Sequence, residues 1–191
     1  MTTYIMTPEN LNLGDVVTSS KGAKSIPITS FGATVDWQPI GVFVPCFEPS
    51  AFNDPEASRI NISLMTSTTG IENELNMLDE RICSLLIKDT QKYFGQVLTE
   101  TQVRERMQPS VRVSAQGHRS WRLKMNVTGR AACTCYDENR QVRPAPESWM
   151  YCSLRPHVLV KGVWLMNKEF GIVYELAAAQ ICESAKKCPF H

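Results

Sequence analysis

The chain of 191 residues lacks a long apolar run, and its N-terminus lacks a basic region followed by an apolar one. A membrane-spanning helix needs about 20 consecutive apolar residues, and a secretory signal needs both of those N-terminal regions. The sequence therefore predicts no membrane partner and no export by a signal peptide. We expect an intracellular protein.

Sequence patterns that indicate catalysis are also missing. The chain has no Gly-x-x-x-x-Gly-Lys-Ser/Thr loop for phosphates, no His-Glu-x-x-His and no Gly-x-Ser-x-Gly. His118 and His157 are isolated in the sequence, with no Cys or carboxylate pair nearby that would give either one the role of a base. The sequence predicts a protein that is not an enzyme and needs no cofactor.

The cysteines show neither disulfide nor zinc-knuckle spacing. There are seven, an odd number, and they are irregularly spaced without a Cys-x-x-Cys in a chain long enough to fold without disulfides. We interpret them as reduced thiols and predict no metal site. The alternative is a structural zinc site, for which the candidate ligands are Cys133, Cys135, Cys182, Cys188 and His191.

The first hundred residues are poor in positive charge. Residues 1–100 hold six Lys or Arg against twelve Asp or Glu, whereas residues 101–168 hold twelve against four. The basic stretch also contains the aromatic residues Trp121, Tyr136, Trp149, Tyr151 and Trp164. Cations bind phosphates and flat rings stack on unpaired bases, so this composition favours binding of single-stranded nucleic acid. The alternative is an ordinary solvated face of Lys and Arg, with the aromatic rings in the core.

The length of the chain is typical of one domain with short extensions. We predict a polar N-terminal arm over residues 1–26, one domain over residues 27–182 and a polar tail over residues 183–191. Within the domain, short apolar or alternating runs predict strands. The clearest are residues 26–28, 33–35, 40–44, 59–65, 111–113, 121–127, 158–166 and 170–176.

Two helices interrupt these strands. A capping-box pattern at residues 69–72 begins a run of apolar residues spaced by three and four, and Gly95 ends it. A second capping-box pattern at residues 99–102 begins a shorter helix that ends before Pro109. Strands and helices do not alternate as in a doubly wound fold. The sequence therefore predicts a mainly β (α+β) fold, a five-stranded barrel with an inserted long helix and a short second helix.

Several segments follow one another in an order that resembles a known protein family. In this chain they are Leu78–Ile82, Lys92–Gly95, Thr99–Glu100, Val103, Met107–Pro109, Val111, Arg122–Lys124, Gly162–Trp164, Phe170–Gly171 and Tyr174. Over about residues 58–182, this order resembles the OB-fold single-stranded-DNA-binding proteins of large DNA viruses and of tailed phages. The Cys133–Cys135 segment, the acidic N-terminal half and the Cys-rich tail do not fit that pattern.

The resemblance implies an OB-fold-like barrel within residues 27–182. It implies that a groove of this barrel binds displaced single-stranded DNA during viral replication or recombination, without preference for base sequence. It would allow several copies to bind along one strand as a homo-oligomer, at the site of replication in the cytoplasm or nucleus of an infected cell. The basic and aromatic residues agree with this, because cations release counterions from phosphates and every base has a face for stacking.

The candidate contacts with nucleic acid carry a positive charge or an aromatic ring. They are Arg112, Arg119, Arg122, Lys124, Arg130, Arg140, Arg143, Trp149, Tyr151, Lys161 and Lys168. Alternation along residues 121–127 places Arg122 and Lys124 on the face opposite Trp121. We favour Trp149 as a base-stacking platform, with packing in the core as its alternative. Trp164 lies in a dense apolar strand and is assigned to the core, with the alternative that its alternate-residue neighbours Gly162 and Met166 leave one face of its ring open.

Two other functions remain open from the sequence. Contact between the acidic half of one copy and the basic half of another would give a self-assembling structural or scaffold protein. Binding of single-stranded RNA is the second, because a stacking groove accepts either nucleic acid unless a 2′-hydroxyl is read.

Overall fold

The computed structural model describes residues 7–50, 57–67 and 69–182. Within these ranges the chain forms eleven strands, three α-helices and a 3-10 helix at Pro8–Asn10. The strands are β1 (Leu11–Leu13), β2 (Val17–Thr18), β3 (Lys24–Ser30), β4 (Ala33–Trp37), β5 (Arg59–Met65), β6 (Val111–Val113), β7 (Arg119–Asn126), β8 (Thr134–Tyr136), β9 (Val142–Arg143), β10 (Ser153–Leu165) and β11 (Phe170–Cys182). The helices are α1 (Glu72–Ile87), α2 (Thr90–Phe94) and α3 (Glu100–Arg106).

The number of strands differs from the five that the sequence predicts. Strands β1, β2, β6, β8 and β9 are each only two or three residues long. Segments this short cannot show the period-two alternation by which a strand is recognised in a sequence. The prediction of a mainly β fold with few helices is confirmed, whereas the prediction of five strands is wrong.

All the strands belong to one sheet, whose main path runs β1-β3-β4-β10-β11-β7-β5. Its centre is the antiparallel hairpin of β10 and β11, each 13 residues long. The runs predicted as strands at residues 158–166 and 170–176 both lie in this hairpin. On its other side β11 runs parallel to β7 and β8, which brings Glu175 opposite Lys124.

The segment at residues 43–50 makes the sheet curl. Phe43 exchanges two backbone hydrogen bonds of 2.8 Å with Leu154 at the start of β10. A few residues later the Cys46 N–H donates to the Ser63 carbonyl of β5 at 2.7 Å. One segment thus bonds to strands from two distant parts of the sheet path, and the sheet bends around the apolar side chains between them.

Strand β3 crosses β10 at very close range at Gly162. A bulge between Val160 and Gly162 separates the part of β10 that pairs with β4 from the part that pairs with β3. A Cβ atom at residue 162 would lie 2.4 Å from the carbonyl oxygen of Ile26, which is closer than atoms approach. Only glycine fits this crossing, and the crossing brings the first residue of β3, Lys24, beside the end of β10.

Aromatic rings fill the inside of the curled sheet. The centroid of the Trp121 ring lies 5.3 Å from that of Trp37, 6.2 Å from that of Phe43 and 5.2 Å from that of Tyr174. All four side chains are buried. Leu123 and Met125 are buried on the same side of β7 as Trp121, so the predicted alternation of this strand is confirmed.

The long helix predicted up to Gly95 is divided into α1 and α2. The Asp89 side chain accepts a hydrogen bond of 3.0 Å from the Lys92 N–H and caps the start of α2. Because a short acidic side chain competes for backbone N–H groups, Asp89 favours a new helix start rather than continuation of α1. Gly95 ends α2 with a left-handed φ of 70°, as the sequence predicts.

Only one of the two predicted capping boxes forms. Thr99 and Gln102 exchange both bonds of the box, at 2.9 and 3.2 Å, and begin α3. At the start of α1 the cap is Ile71, without a side-chain bond. The Glu72 carboxylate instead accepts from the hydroxyl of Thr66 at 2.6 Å. The apolar face of α1 packs against β1, β6 and the other helices.

The predicted domain boundaries stay predictions. Within the predicted N-terminal arm, β1 and β2 both pair with β3, and Leu11 is buried in the core. The predicted tail at residues 183–191 lies outside the described residues. In the part of the chain that is described, no helix is long and apolar enough to cross a membrane.

Candidate nucleic-acid interface

A groove of about 560 Å³ runs over β7, β10 and β11 on the outside of the curled sheet. Among its described lining residues there is no Asp or Glu. Five of the lining residues are cations, namely Lys24, Arg59, Arg112, Arg122 and Lys124. The groove is therefore a concentration of positive charge in a protein whose formal net charge is only +1.

Strand geometry brings these cations together from four strands. Because side chains alternate across a strand, Arg122 and Lys124 lie on the outer face of β7 while Trp121 and its neighbours face the core. Strand β6 pairs with β7 so that Arg112 stands opposite Ser120, two residues from Arg122. Arg59 comes from β5 on the other side of β7, and Lys24 comes from β3.

The cations repel one another at short range. Partial burial lowers the pKa of Lys124, and the nearby charges of Arg59, Arg122 and Arg112 lower it further. The pKa of the Arg112 guanidinium is likewise lowered by desolvation at the groove wall and by Arg122. A site whose cations already lower one another's pKa gains free energy when an anion such as a phosphate enters it.

Carboxylates compensate little of this charge. Arg59 donates to the Glu175 carboxylate at 3.1 Å. Among the residues that the structure describes, no hydrogen-bond or ion-pair partner is found for Arg112, Arg122 or Lys124. These three side chains are the candidate phosphate contacts of the groove.

The aromatic wall of the groove is Trp164. Its side chain is half-buried and lines the groove, opposite Gly171 in the β10–β11 register. A Cβ atom at residue 171 would lie 2.9 Å from the Trp164 Nε1 atom, so the indole lies directly on the glycine backbone. The structure therefore supports the alternative for Trp164, in which part of the ring stays open, over burial in the core. The glycine across the hairpin leaves room for the ring at the surface, and that pairing depends on the register rather than on local sequence.

A second depression of about 970 Å³ continues from the groove at Lys24 and Met166. Three more cations line it, and they are Lys21, Arg106 and Lys168. Tyr93 and Phe94 contribute rings, and Glu169 is the acidic residue among the described lining. Lys168, predicted from the sequence, is thus brought to an extension of the groove.

Five other predicted basic residues do not line the groove. Arg119 is held in an ion pair with Glu72, with N–O distances of 2.7 to 2.9 Å. The remaining four lie elsewhere on the surface: Arg130 in a turn after β7, Arg140 in the β8–β9 turn with a left-handed φ of 62°, Arg143 on β9 and Lys161 on β10. The sequence places all of them in one basic stretch, but the fold separates them.

The structure does not place Trp149 and Tyr151 as the sequence analysis favours, with Trp149 as an exposed stacking platform. Trp149 is only 7% exposed and packs with the core, while its backbone N–H donates to the Glu48 carboxylate at 3.0 Å. Tyr151 is 79% exposed and does not line the groove. The structure therefore supports the alternative for Trp149, which is packing, and the ring offers no open face for stacking.

The thiols of the described residues are not grouped as a metal site. Six cysteines fall in the described ranges and all six are free thiols. In those ranges no group of three or more His, Cys, Asp or Glu side chains is placed to hold a metal ion. Two of the alternative zinc ligands, Cys188 and His191, lie outside the described residues.

No protein-family model matches the chain, and no curated protein matches it. Similar solved structures include the single-stranded DNA-binding protein from bacteriophage Enc34 in complex with ssDNA, with a TM-score of 0.49 and 10% identity over 93% of this chain and 98% of that chain. A C-terminal truncation of the Enc34 protein has a TM-score of 0.47 and 11% identity, over 91% of this chain and 98% of its own. The single-stranded DNA binding protein gp2.5 of bacteriophage T7 has a TM-score of 0.47 and 11% identity, over 82% and 96%. At these values the likeness establishes neither the fold nor the function, and we base the function on the chain's own residues.

Proposed function

We propose that this chain binds single-stranded DNA, without preference for base sequence, in the groove of Arg112, Arg122, Lys124 and Trp164. The observation that carries the proposal is the crowding of cations beside an indole ring, in a groove whose described lining lacks carboxylates. Phosphates relieve the repulsion between the cations, and a base stacked on the ring contributes about 1–3 kcal/mol.

The arrangement favours a single strand over a duplex. Stacking on Trp164 requires a base whose face is open, and the bases of a duplex are already stacked on one another. A duplex can bind the groove only through its phosphates, so it does not gain the free energy of stacking on Trp164. Because every base has a face that stacks, the same contact does not discriminate between sequences.

The curled sheet supports an OB-like barrel as the scaffold of this groove. We take the wall of the barrel to be β5, β7, β11 and β10, with α1 inserted between β5 and β7 and with the isolated bridges of residues 43–50 closing the gap between β5 and β10. The backbone bonds from residues 43–50 to both β10 and β5 support this closure. The remaining strands then extend the barrel rather than build it.

In an infected cell, the protein coats displaced strands during viral DNA replication or recombination, with several copies along one strand. The sequence resemblance to viral and phage OB-fold proteins supports this role. The groove itself does not separate DNA from RNA, so a matched RNA strand belongs in the test.

Ion pairs within the folded chain weaken the case for the scaffold alternative. Acidic residues of the first hundred positions pair with basic residues of the later stretch within one copy, as in Glu80 with Arg104 at 2.6 Å and Glu72 with Arg119. Charge that is segregated along the sequence is thus partly neutralised inside the fold, and less of it is left to join one copy to another.

The test is fluorescence anisotropy of labelled oligo-dT titrated with the full chain at low and moderate salt, with duplex DNA and oligo-U as comparisons. We expect binding of oligo-dT that weakens with salt and that is tighter than binding of the duplex. Equal binding of duplex and single strand, or no binding of oligo-dT at low salt, would contradict the proposal.

A further inference from the structure

We propose that Phe47 is a second base-stacking platform, at the opposite end of the DNA path from Trp164. The inference rests on the proposed function and adds a residue and a direction to the same groove. It predicts that the bound strand runs from the β10–β11 hairpin, across β7, to the segment at residues 43–50.

The first observation is a third depression, which continues the groove on the side of β5 and β6. It has a volume of about 350 Å³, and Phe47 is its aromatic lining residue. It shares Asn61, Arg112 and Arg122 with the groove described above. The same two guanidinium groups thus face both depressions, and a phosphate bound between them would lead the strand from one to the other.

The second observation is the exposure of the Phe47 ring. The residue is 70% exposed, whereas nearby Phe43 is completely buried in the core. The neighbouring hydroxyl groups of Ser63, Ser114 and Ser120 line the same depression and can bond to phosphate or sugar oxygens. An exposed ring beside cations and hydroxyl groups is the combination that binds single strands.

The third observation is that the backbone around Phe47 is fastened on both sides. The Cys46 N–H donates to the Ser63 carbonyl at 2.7 Å, and Ser50 exchanges backbone bonds of 2.9 and 3.0 Å with Asn61. A ring on such a segment is already in place before DNA binds, so little conformational entropy is lost on stacking.

The acidic residue next to Phe47 stays ionised, but hydrogen bonds hold its carboxylate at the 148–150 loop. Glu48 also lines this depression, but its carboxylate accepts hydrogen bonds from the Ser148 hydroxyl and from the N–H groups of Trp149 and Met150. These donors hold its pKa below the usual range and satisfy its oxygens. They also tie the 148–150 loop to the Phe47 segment, which adds to its rigidity.

The spacing of the two rings predicts a length effect. From β10 to the segment at residues 43–50, the path across β11, β7 and β5 takes four strand spacings, or about 19 Å along the sheet. A very short oligonucleotide cannot reach both rings, whereas a longer one can. The gain in affinity with length should therefore depend on Phe47.

The experiment compares Phe47→Ala and Phe47→Trp in the full chain, with Phe31→Ala as the matched control. Phe31 is also exposed, at 84%, but it lies at the β3–β4 turn and does not line the groove. Affinity is measured for oligo-dT of about two nucleotides, too short to reach both rings, and of about twelve, which is within the range that one OB fold covers. Thermal melting checks that the variants stay folded.

We expect Phe47→Ala to weaken binding of the longer oligonucleotide by about 5- to 150-fold, the loss of one stacked base, and to change binding of the shorter one little. Phe47→Trp and Phe31→Ala should bind like the original chain. If the original chain binds oligo-dT and Phe47→Ala binds each length as tightly as the original chain does, the inference is wrong while the proposed function stands. If the original chain binds neither length, both fail.

Discussion

The indole of Trp164 lies on the backbone of Gly171, its partner across the β10–β11 hairpin, so closely that a Cβ atom at residue 171 would be 2.9 Å from Nε1. The other tryptophans, Trp37, Trp121 and Trp149, are 1%, 0% and 7% exposed. Trp164 is thus the tryptophan that DNA in the groove can touch.

This difference in burial predicts which tryptophan reports DNA binding. Single-stranded DNA should quench the intrinsic tryptophan fluorescence, because a base stacks on the exposed indole face. Trp164→Phe should remove most of the quenching, whereas Trp149→Phe should keep it. Quenching that persists in Trp164→Phe and disappears in Trp149→Phe would show that DNA contacts Trp149 rather than Trp164.

The contact with Gly171 predicts a second, finer effect. Gly171→Ala introduces a methyl group where the indole now lies, so the ring must tilt away from the hairpin. We expect oligo-dT affinity to fall by up to the value of one stacked base, about 1–3 kcal/mol, while the salt dependence set by the cations stays the same. Anisotropy titrations at several salt concentrations measure both quantities. An alanine variant with unchanged affinity would mean that the orientation of this ring does not matter.

Gly162 predicts an effect on stability. Because a Cβ atom there would be 2.4 Å from the Ile26 carbonyl oxygen, Gly162→Ala must push β3 away from β10. We expect the free energy of unfolding, measured by urea denaturation, to fall by about 1–3 kcal/mol. Gly14→Ala is the control, since its Cβ atom would meet Pro27 at 3.4 Å. Equal stability of the two variants would argue against the close crossing.

Asp79 predicts a dependence of stability on pH. Its carboxylate is buried and accepts hydrogen bonds from the Ser110 N–H at 2.8 Å and the Ser110 hydroxyl at 2.5 Å, and that hydroxyl lies 2.7 Å from the Tyr174 hydroxyl. Burial raises the pKa of Asp79 to about 6 although the Ser110 bonds oppose it. The folded protein therefore holds a proton that the unfolded chain has already released between about pH 4 and pH 6.

The sign of the effect follows from that proton. The stabilising contribution of protonated Asp79 is fully present below about pH 4 and is lost as pH rises through about 6, up to about 3 kcal/mol in all. As pH rises over this range, the free energy of unfolding of the original chain should therefore fall relative to that of Asp79→Asn. Glu105→Gln, at an exposed site, should show no such trend. Parallel pH profiles for the original chain and Asp79→Asn would contradict the raised pKa.

Local sequence patterns predict the local parts of this fold. Alternation along β7 separates Arg122 and Lys124 from the buried Trp121, and the Thr99 capping box and Gly95 mark a helix start and a helix end. These features depend on residues within a few positions of one another, so their physical cause is visible in the sequence.

The remaining features depend on contacts between distant segments. The bonds from residues 43–50 to β10 and β5, and the parallel pairing of β7 with β11, leave no periodic signal. The apolar neighbours of Trp164 favour the core, and its pairing with Gly171 leaves the ring half-buried in the wall of the groove. Trp149 is the reverse, because the fold packs it inside although a loop-like sequence surrounds it. The groove cations Arg122 and Lys124 could thus be predicted from the sequence, whereas the buried position of Trp149 could not.

The groove cations provide the most direct test of the proposed function. Arg122→Gln with Lys124→Gln removes two cations that have no hydrogen-bond partner among the described residues, whereas Arg130→Gln with Lys161→Gln removes two cations outside the groove. The measurement is the slope of log affinity for oligo-dT against log salt concentration. We expect the groove variant to bind more weakly at low salt with a slope smaller by about 1.4, about 0.7 for each lost phosphate contact, and the control to keep the original slope. Equal slopes for the two double variants would contradict DNA binding in this groove.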